Sequence, residues 1–310
     1  MPLKSPFSAL AQLVRGRIRT LVISSTLISI IAAAGCGQLV QKERELTFRV
    51  EPGTAGWYKG LPDGLVESNL PVVADGQTQQ IHTWWWPSHR EDAPSLLYLH
   101  GAAWNLTGHL FRIEQLREFG FSVLAIDYRG FGKSDGDYPT EQTAYEDARV
   151  AWDHLARLQP DVEKRFIYGH SLGGAVAVDL AANLAQSGKG PAAGGLIVES
   201  SFSSLSDIAR TFTYSWLPVQ LLMSQKFDSA DKIRRVDVPV LIVHGSDDRY
   251  VPSRLSEKLY AAAPGRKKLL VVPGATHNNT MRVGQDDYRS AFAELFGRKM
   301  DDIGVNEALS

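Results

Sequence analysis

The stretch "FIYGHSLGGAVA", Phe166 to Ala177, decides the fold. Arg165–His170 is short, apolar and aromatic, as a buried strand is. From Leu172 to Ser187 the sequence "LGGAVAVDLAANLAQS" has helical character. Ser171 therefore falls on the turn between a strand and a helix, inside the pentapeptide Gly169-His170-Ser171-Leu172-Gly173. A bare G-x-S-x-G arises by chance, but the strand-turn-helix setting is what a serine nucleophile needs to stand clear of a sheet. Gly169 and Gly173 supply the small positions that let strand and helix approach, and Gly174 adds room. The N–H of Leu172 lies at a helix N-terminus, where it can donate to a developing oxyanion.

Outward from this turn the pattern repeats. Ser95–His100, Phe121–Arg129, Gly195–Ser201, Val238–Gly245 and Lys267–Gly274 are short runs rich in apolar and β-branched residues. Such runs predict strands buried on both faces, as in a parallel sheet. Helical patterns alternate with them, most clearly Glu141–Leu158 and Tyr288–Gly297. Strand-helix alternation predicts an α/β fold with helices on both faces of a mostly parallel sheet. The segment before Ser95, with its three consecutive tryptophans in "IHTWWWPSH", reads as leading antiparallel strands. Residues 202–237 are too long for a plain connection and predict a small helical cap, with Pro218 interrupting it.

A serine hydroxyl is a poor nucleophile near neutral pH without a base. Of eight histidines, His277 in "PGATHNN" is the best placed, in a loop after the last predicted strand. His100, His170 and His244 sit in strand-end motifs, where packing or backbone positioning is expected, and His82, His89, His109 and His154 read as surface or loop positions. An orienting carboxylate comes from "HGSDDRYVP", which offers Asp247 and Asp248 at the C-terminal end of a strand. A second oxyanion donor is expected from "LYLHGAAWNLTG": His100-Gly101 makes a turn and presents the N–H of Ala102, while Asn105 reads as a helix cap. The Gly-, Asp- and Arg-rich "DYRGFGKSDG", Asp127–Gly136, reads as a structural loop, with Asp127 and Arg129 bonding backbone.

These motifs together resemble the α/β-hydrolase superfamily. The resemblance is to its small-cap serine hydrolases, grouped with lysophospholipases, monoacylglycerol lipases and serine aminopeptidases. "HGAAWN", "DYRGFGKSDG", "GHSLGG", "ESSFSSL", "HGSDDRYVP" and "GATHNN" carry it, spanning Leu97 to His277. The family's H-G-x-x-D-x-x-V-P pattern falls on Asp248, with Asp247 at a variable position. The resemblance implies a triad of Ser171, Asp248 and His277, in the chain order of α/β-hydrolases. It implies an oxyanion hole from Ala102 and Leu172, an acyl-enzyme on Ser171, and no metal or other cofactor. The expected substrate is a small-molecule carboxylic ester, with lipid or lysophospholipid esters suggested by the apolar "SWLPVQLLM", Ser215–Met223. A serine aminopeptidase, or another amide or thioester hydrolase, is the alternative, and a non-catalytic envelope binding protein a third. Aminopeptidase activity needs acidic groups for a free amino terminus, and the cap offers only Asp207, Asp228 and Asp231.

Composition sets outer limits. The 310 residues are 44% hydrophobic and 22% charged, with a formal net charge of −1, an ordinary globular balance for one large α/β domain. No basic run suggests nucleic acid. The first 36 residues differ from the rest: Lys4, Arg15, Arg17 and Arg19 precede an uncharged apolar stretch ending in Ala33-Ala34-Gly35-Cys36. That stretch is shorter than the about 18 residues a membrane span needs and reads as a signal peptide. Its end resembles the bacterial lipoprotein box, with Ala33 where leucine is usual, and the resemblance implies acylation of Cys36, the chain's only cysteine. The reading is thus a signal peptide over 1–36, a hydrolase domain over 37–299 and a polar tail over 300–310. The expected location is the bacterial cell envelope, membrane-anchored through Cys36. The alternatives are a secreted or periplasmic protein and a single-pass anchor.

Overall fold

A computed structural model describes residues 37–74, 76–186, 193–212 and 223–297. The chain divides at Glu43 into two units. Of the first, residues 37–43 are described and are helical. Cys36 and most of Ser215–Met223 lie outside the described residues.

The second unit is built on an eight-stranded sheet: β1 (Val66–Ala74), β2 (Gln77–Trp86), β3 (Ser95–Leu99), β4 (Ser122–Ile126), β5 (Arg165–His170), β6 (Gly195–Glu199), β7 (Val240–Gly245) and β8 (Lys267–Val272). The spatial order is β1-β2-β4-β3-β5-β6-β7-β8. β1 pairs antiparallel with β2 and β2 with β4, while every later pairing is parallel. The apolar runs of β3 to β7 thus become strands buried on both faces, whereas β8, also expected to be buried, lies at the sheet edge with only Val272 buried. The tryptophan-bearing β2 joins the antiparallel end, and Trp84 and Trp86 are buried.

Side-chain alternation splits the core into two layers. Leu97, Leu99, Ile167, Val198 and Ile242 face one side, with the helices Glu141–Leu158 and Leu172–Ala185. Leu96, Tyr98, Phe166, Tyr168, Ile197 and Leu241 face the other, with the helices Leu106–Glu118 and Gln285–Phe296. Within the span read as a cap, Leu205–Phe212 and Ser229–Lys232 are helical. The parallel strands β3, β4, β5, β6, β7 and β8 run in one direction. Their C-terminal ends therefore share one edge, where open α/β sheets bind ligands.

Candidate active site

β5 ends at His170 and the helix starts at Leu172, so Ser171 alone makes the turn. Its backbone sits at φ 55° and ψ −119°, a conformation that costs a residue with a side chain of order 1–3 kcal/mol. Three contacts hold it there. Its N–H donates to the carbonyl of Glu199 at 2.9 Å, and its carbonyl accepts from Gly174 N–H at 3.0 Å and from Ser201 Oγ at 2.7 Å. The glycines meet a steric demand. A Cβ on Gly169 would strike the carbonyl of Gly173, one on Gly173 the carbonyl of Leu99, and one on Gly174 the side chain of Ser201.

The loop after β3 presses on this turn: a Cβ on Gly101 would lie 3.0 Å from the Ser171 Cβ. Ala102 follows. Beyond it Ala103 and Trp104 both have left-handed backbones, at φ 64° and 60°. The N–H of Ala103 is taken by the carbonyl of Phe48 at 2.8 Å. Asn105 caps the next helix, its Oδ1 accepting from Thr107 N–H. Leu172, first in its helix, has no intrahelical acceptor for its N–H. The two expected oxyanion donors thus lie on the loop after β3, which reaches Ser171 at Gly101, and at the start of the helix that follows Ser171.

His277, after β8, places Nδ1 2.7 Å from Asp248 Oδ2. The Asp248 side chain is sealed from solvent, and its Oδ1 accepts the N–H groups of Tyr250 and Val251 at 2.8 and 2.9 Å. Burial would raise this carboxyl, but hydrogen bonds from His244 and His277 outweigh it and hold it well below the usual carboxylate range. Asp248 is thus an anion under the His277 ring and fixes Nδ1 as the protonated nitrogen. Asp247 is exposed and accepts a hydrogen bond from Ser246 Oγ. His277 is joined to the Ser171 turn through His170, whose Nε2 donates to the His277 carbonyl at 2.9 Å.

His100, His170 and His244 are buried, and each meets a backbone carbonyl, that of Gly101, His277 and Val251 respectively. His82 and His109 correct the surface reading of these positions. His82 is buried in β2, with Nδ1 2.9 Å from Asp127 and Nε2 2.6 Å from Glu67. His109 is buried against His100, with Nδ1 3.3 Å from the Tyr98 hydroxyl. In the Asp127–Gly136 loop, the Asp127 and Arg129 side chains bond groups outside the loop rather than its own backbone. Asp127 accepts the N–H of Leu106 at 2.8 Å, and Arg129 pairs with Asp147 at 2.6 Å.

Three functional-site neighbours carried no role in the sequence reading. Arg112 and Glu199, both fully buried, pair at 2.5 Å behind the site. Tyr250 is exposed and its ring lies 5.5 Å from that of His277. Among the described residues no cluster of His, Cys, Asp and Glu could hold a metal ion.

The sheet order, the strained serine between β5 and its helix, and the buried aspartate under a loop histidine define an α/β-hydrolase. A family model described as "Serine aminopeptidase, S33" matches residues 91–228 and 208–281, and the chain belongs to this family. It is 37% identical over 259 residues to an uncharacterized protein of Mycobacterium tuberculosis, covering 81% of this chain and 87% of that one. It is 32% identical over 203 residues to lysophosphatidylserine lipase ABHD12 of Danio rerio, covering 60% of this chain and 51% of the relative. Among solved structures it resembles an esterase of Pyrococcus furiosus, with TM-score 0.59, 21% identity and coverage of 81% of this chain and 99% of that one. It also resembles Est1E of Butyrivibrio proteoclasticus with bound ferulic acid, with TM-score 0.58, 22% identity and coverage of 74% and 100%. The chain is a hydrolase of this fold.

Proposed function

We propose that the protein is a serine hydrolase that cleaves carboxylic esters through an acyl-enzyme on Ser171. The observation that carries this is the 2.7 Å bond from His277 to buried Asp248, beside a serine held at positive φ. With Nδ1 protonated toward Asp248, His277 presents the Nε2 lone pair as base. It takes the Ser171 proton as the oxygen attacks the acyl carbonyl. The N–H groups of Ala102 and Leu172 receive the oxyanion. The imidazolium returns the proton to the leaving alcohol as the ester C–O bond breaks. Water, deprotonated by His277, then attacks the acyl-enzyme, the Ser171 Oγ–acyl bond breaks, and His277 returns the proton to Ser171 as the acid leaves. Every proton moves through one histidine.

Esters rank above peptides because two of the three cap acids that could meet a free amino terminus already face cations. Asp207 already accepts from Ser203 and lies 2.6 Å from Lys258, while Asp231 faces Arg235 at 3.6 Å. A lipid or lysophospholipid ester is the favoured substrate, supported by the similarity to a lysophosphatidylserine lipase. The test compares chromogenic short-chain esters with aminoacyl anilides, using Ser171→Ala as control. Ester turnover lost in Ser171→Ala supports the reading. Anilide turnover exceeding ester turnover favours the aminopeptidase alternative.

The same reading places the mature protein at the bacterial envelope, tethered by acylated Cys36. Its support is the basic and apolar leader ending in Ala33-Ala34-Gly35-Cys36. An intact mass of the native protein with acyl mass on Cys36 is the expected result. A mature species without it removes the anchor.

A further inference from the structure

His277 and Asn278 each offer a carbonyl toward the protein interior, and each carbonyl meets a buried donor from another element. His170 Nε2 lies 2.9 Å from the His277 carbonyl, and an Arg112 guanidinium nitrogen lies 3.4 Å from that of Asn278. The two donors are themselves anchored to the Ser171 turn. His170 precedes Ser171 and pairs in register with Glu199 across β5 and β6. Glu199 gives its carbonyl to Ser171 N–H at 2.9 Å and its carboxylate to Arg112 at 2.5 Å and to the Tyr168 hydroxyl at 2.6 Å. One residue therefore holds the nucleophile's backbone by its main chain and the base-bearing loop, through Arg112, by its side chain.

A fully buried ion pair is costly to desolvate and is a weak source of stability. Here it ties the helix Leu106–Glu118 to β6 and, through Arg112, reaches the Asn278 carbonyl. His170 shows the same economy: burial keeps the ring neutral, so it carries one N–H, and Nδ1 is left without a partner. That proton is committed to the carbonyl of the base.

We infer that His170 and the Arg112–Glu199 pair are positioning residues that set where the His277 imidazole stands relative to Ser171. This rests on the serine-hydrolase reading for its catalytic consequence, but the placement of His277 is measurable by itself. Packing alone would fix the loop to within a rotamer. Two donors on consecutive carbonyls fix both the height of the loop and its rotation, which a base working over a hydrogen bond's length requires.

The experiment uses the full chain with two sets of variants. His170→Leu removes the donor, and His170→Gln returns one at similar reach. Arg112→Met combined with Glu199→Met and Tyr168→Phe removes both charges together with the hydroxyl that Glu199 accepts, and takes the donor from the Asn278 carbonyl. Ester kinetics and circular dichroism are measured with the low-field proton resonance of the His277 Nδ1–H shared with Asp248. Expected for His170→Leu is a native dichroism spectrum, kcat lowered at least tenfold with KM within twofold, and a broadened or shifted low-field resonance. His170→Gln recovers most of both. The Arg112/Glu199/Tyr168 triple variant behaves as His170→Leu does, and it decides the matter if His170→Leu does not fold. A His170→Leu enzyme with kcat within twofold of wild type and an unmoved resonance overturns the inference. So does a His170→Gln enzyme as impaired as His170→Leu. If wild type hydrolyses no ester, the functional reading fails, while the resonance still decides whether His170 and Arg112 place His277.

Discussion

His277 Nδ1 donates to Asp248 Oδ2 across 2.7 Å, and the Asp248 side chain has no exposure to solvent. The acceptor is held further by two backbone N–H groups and lies 3.1 Å from His244 Nε2. An anion so thoroughly fixed dictates the tautomer of the histidine above it.

Replacing that anion with an amide keeps the shape and removes the instruction. Asp248→Asn is expected to fold and to lose roughly 10⁴ in kcat, the scale known for the same change in another serine hydrolase. Asp247→Asn, altering an exposed neighbour, is expected to stay within twofold. Steady-state ester kinetics on the two variants checks the choice between adjacent aspartates.

The strain at Ser171 makes an opposite pair of effects. At φ 55° glycine is at ease and serine is not. Ser171→Gly is therefore expected to be inactive yet at least as stable as wild type, although glycine elsewhere costs about 0.5–1 kcal/mol through the unfolded chain. A urea midpoint at or above the wild-type value supports the strain. A clear fall contradicts it.

Gly173 faces the reverse constraint. A methyl group there would strike the carbonyl of Leu99, which is backbone of β3 and cannot swing aside. Gly173→Ala is expected to cost about 1–3 kcal/mol by overpacking and to displace the Leu172 N–H from the oxyanion position. Denaturant unfolding and kcat on this variant should both fall.

Acid should unfold the protein partly through Glu67. Burial would raise its carboxyl, but hydrogen bonds from Lys133, His82 and Trp84 outweigh this and hold it down at about 2. A carboxyl depressed in the folded state contributes stability that is complete above its unfolded value of 4.5 and disappears as pH falls toward 2. Urea midpoints measured across that window should decline in wild type, and less steeply in Glu67→Gln. Equal slopes would contradict the assignment.

Much of this site is legible in residue order because its parts are local. The Ser171 turn is specified by glycines within three residues of it, and Asn105 caps the helix beginning next to it. The parallel strands declare themselves as short apolar runs, and Glu141–Leu158 as a helix with polar and apolar faces. The helix Leu106–Glu118 escapes this reading because its inward face carries Thr107, His109 and Arg112 beside Leu106, Ile113 and Leu116. Its period is hidden where polar groups replace the apolar ones. Arg112 can be buried only because Glu199 waits 87 residues away, and His82 only because Glu67 and Asp127 flank it. Partners so distant leave no local pattern, so charged and imidazole groups read as surface where the fold makes them interior.

The proposed acyl-enzyme forms on Ser171. Intact mass spectrometry after exposure to a fluorophosphonate, with the modified peptide located by fragmentation, identifies the reactive residue. One adduct per chain is expected, on Ser171, absent from Ser171→Ala and formed much more slowly in His277→Ala. An adduct on another residue, or equal labelling of wild type and Ser171→Ala, would contradict it.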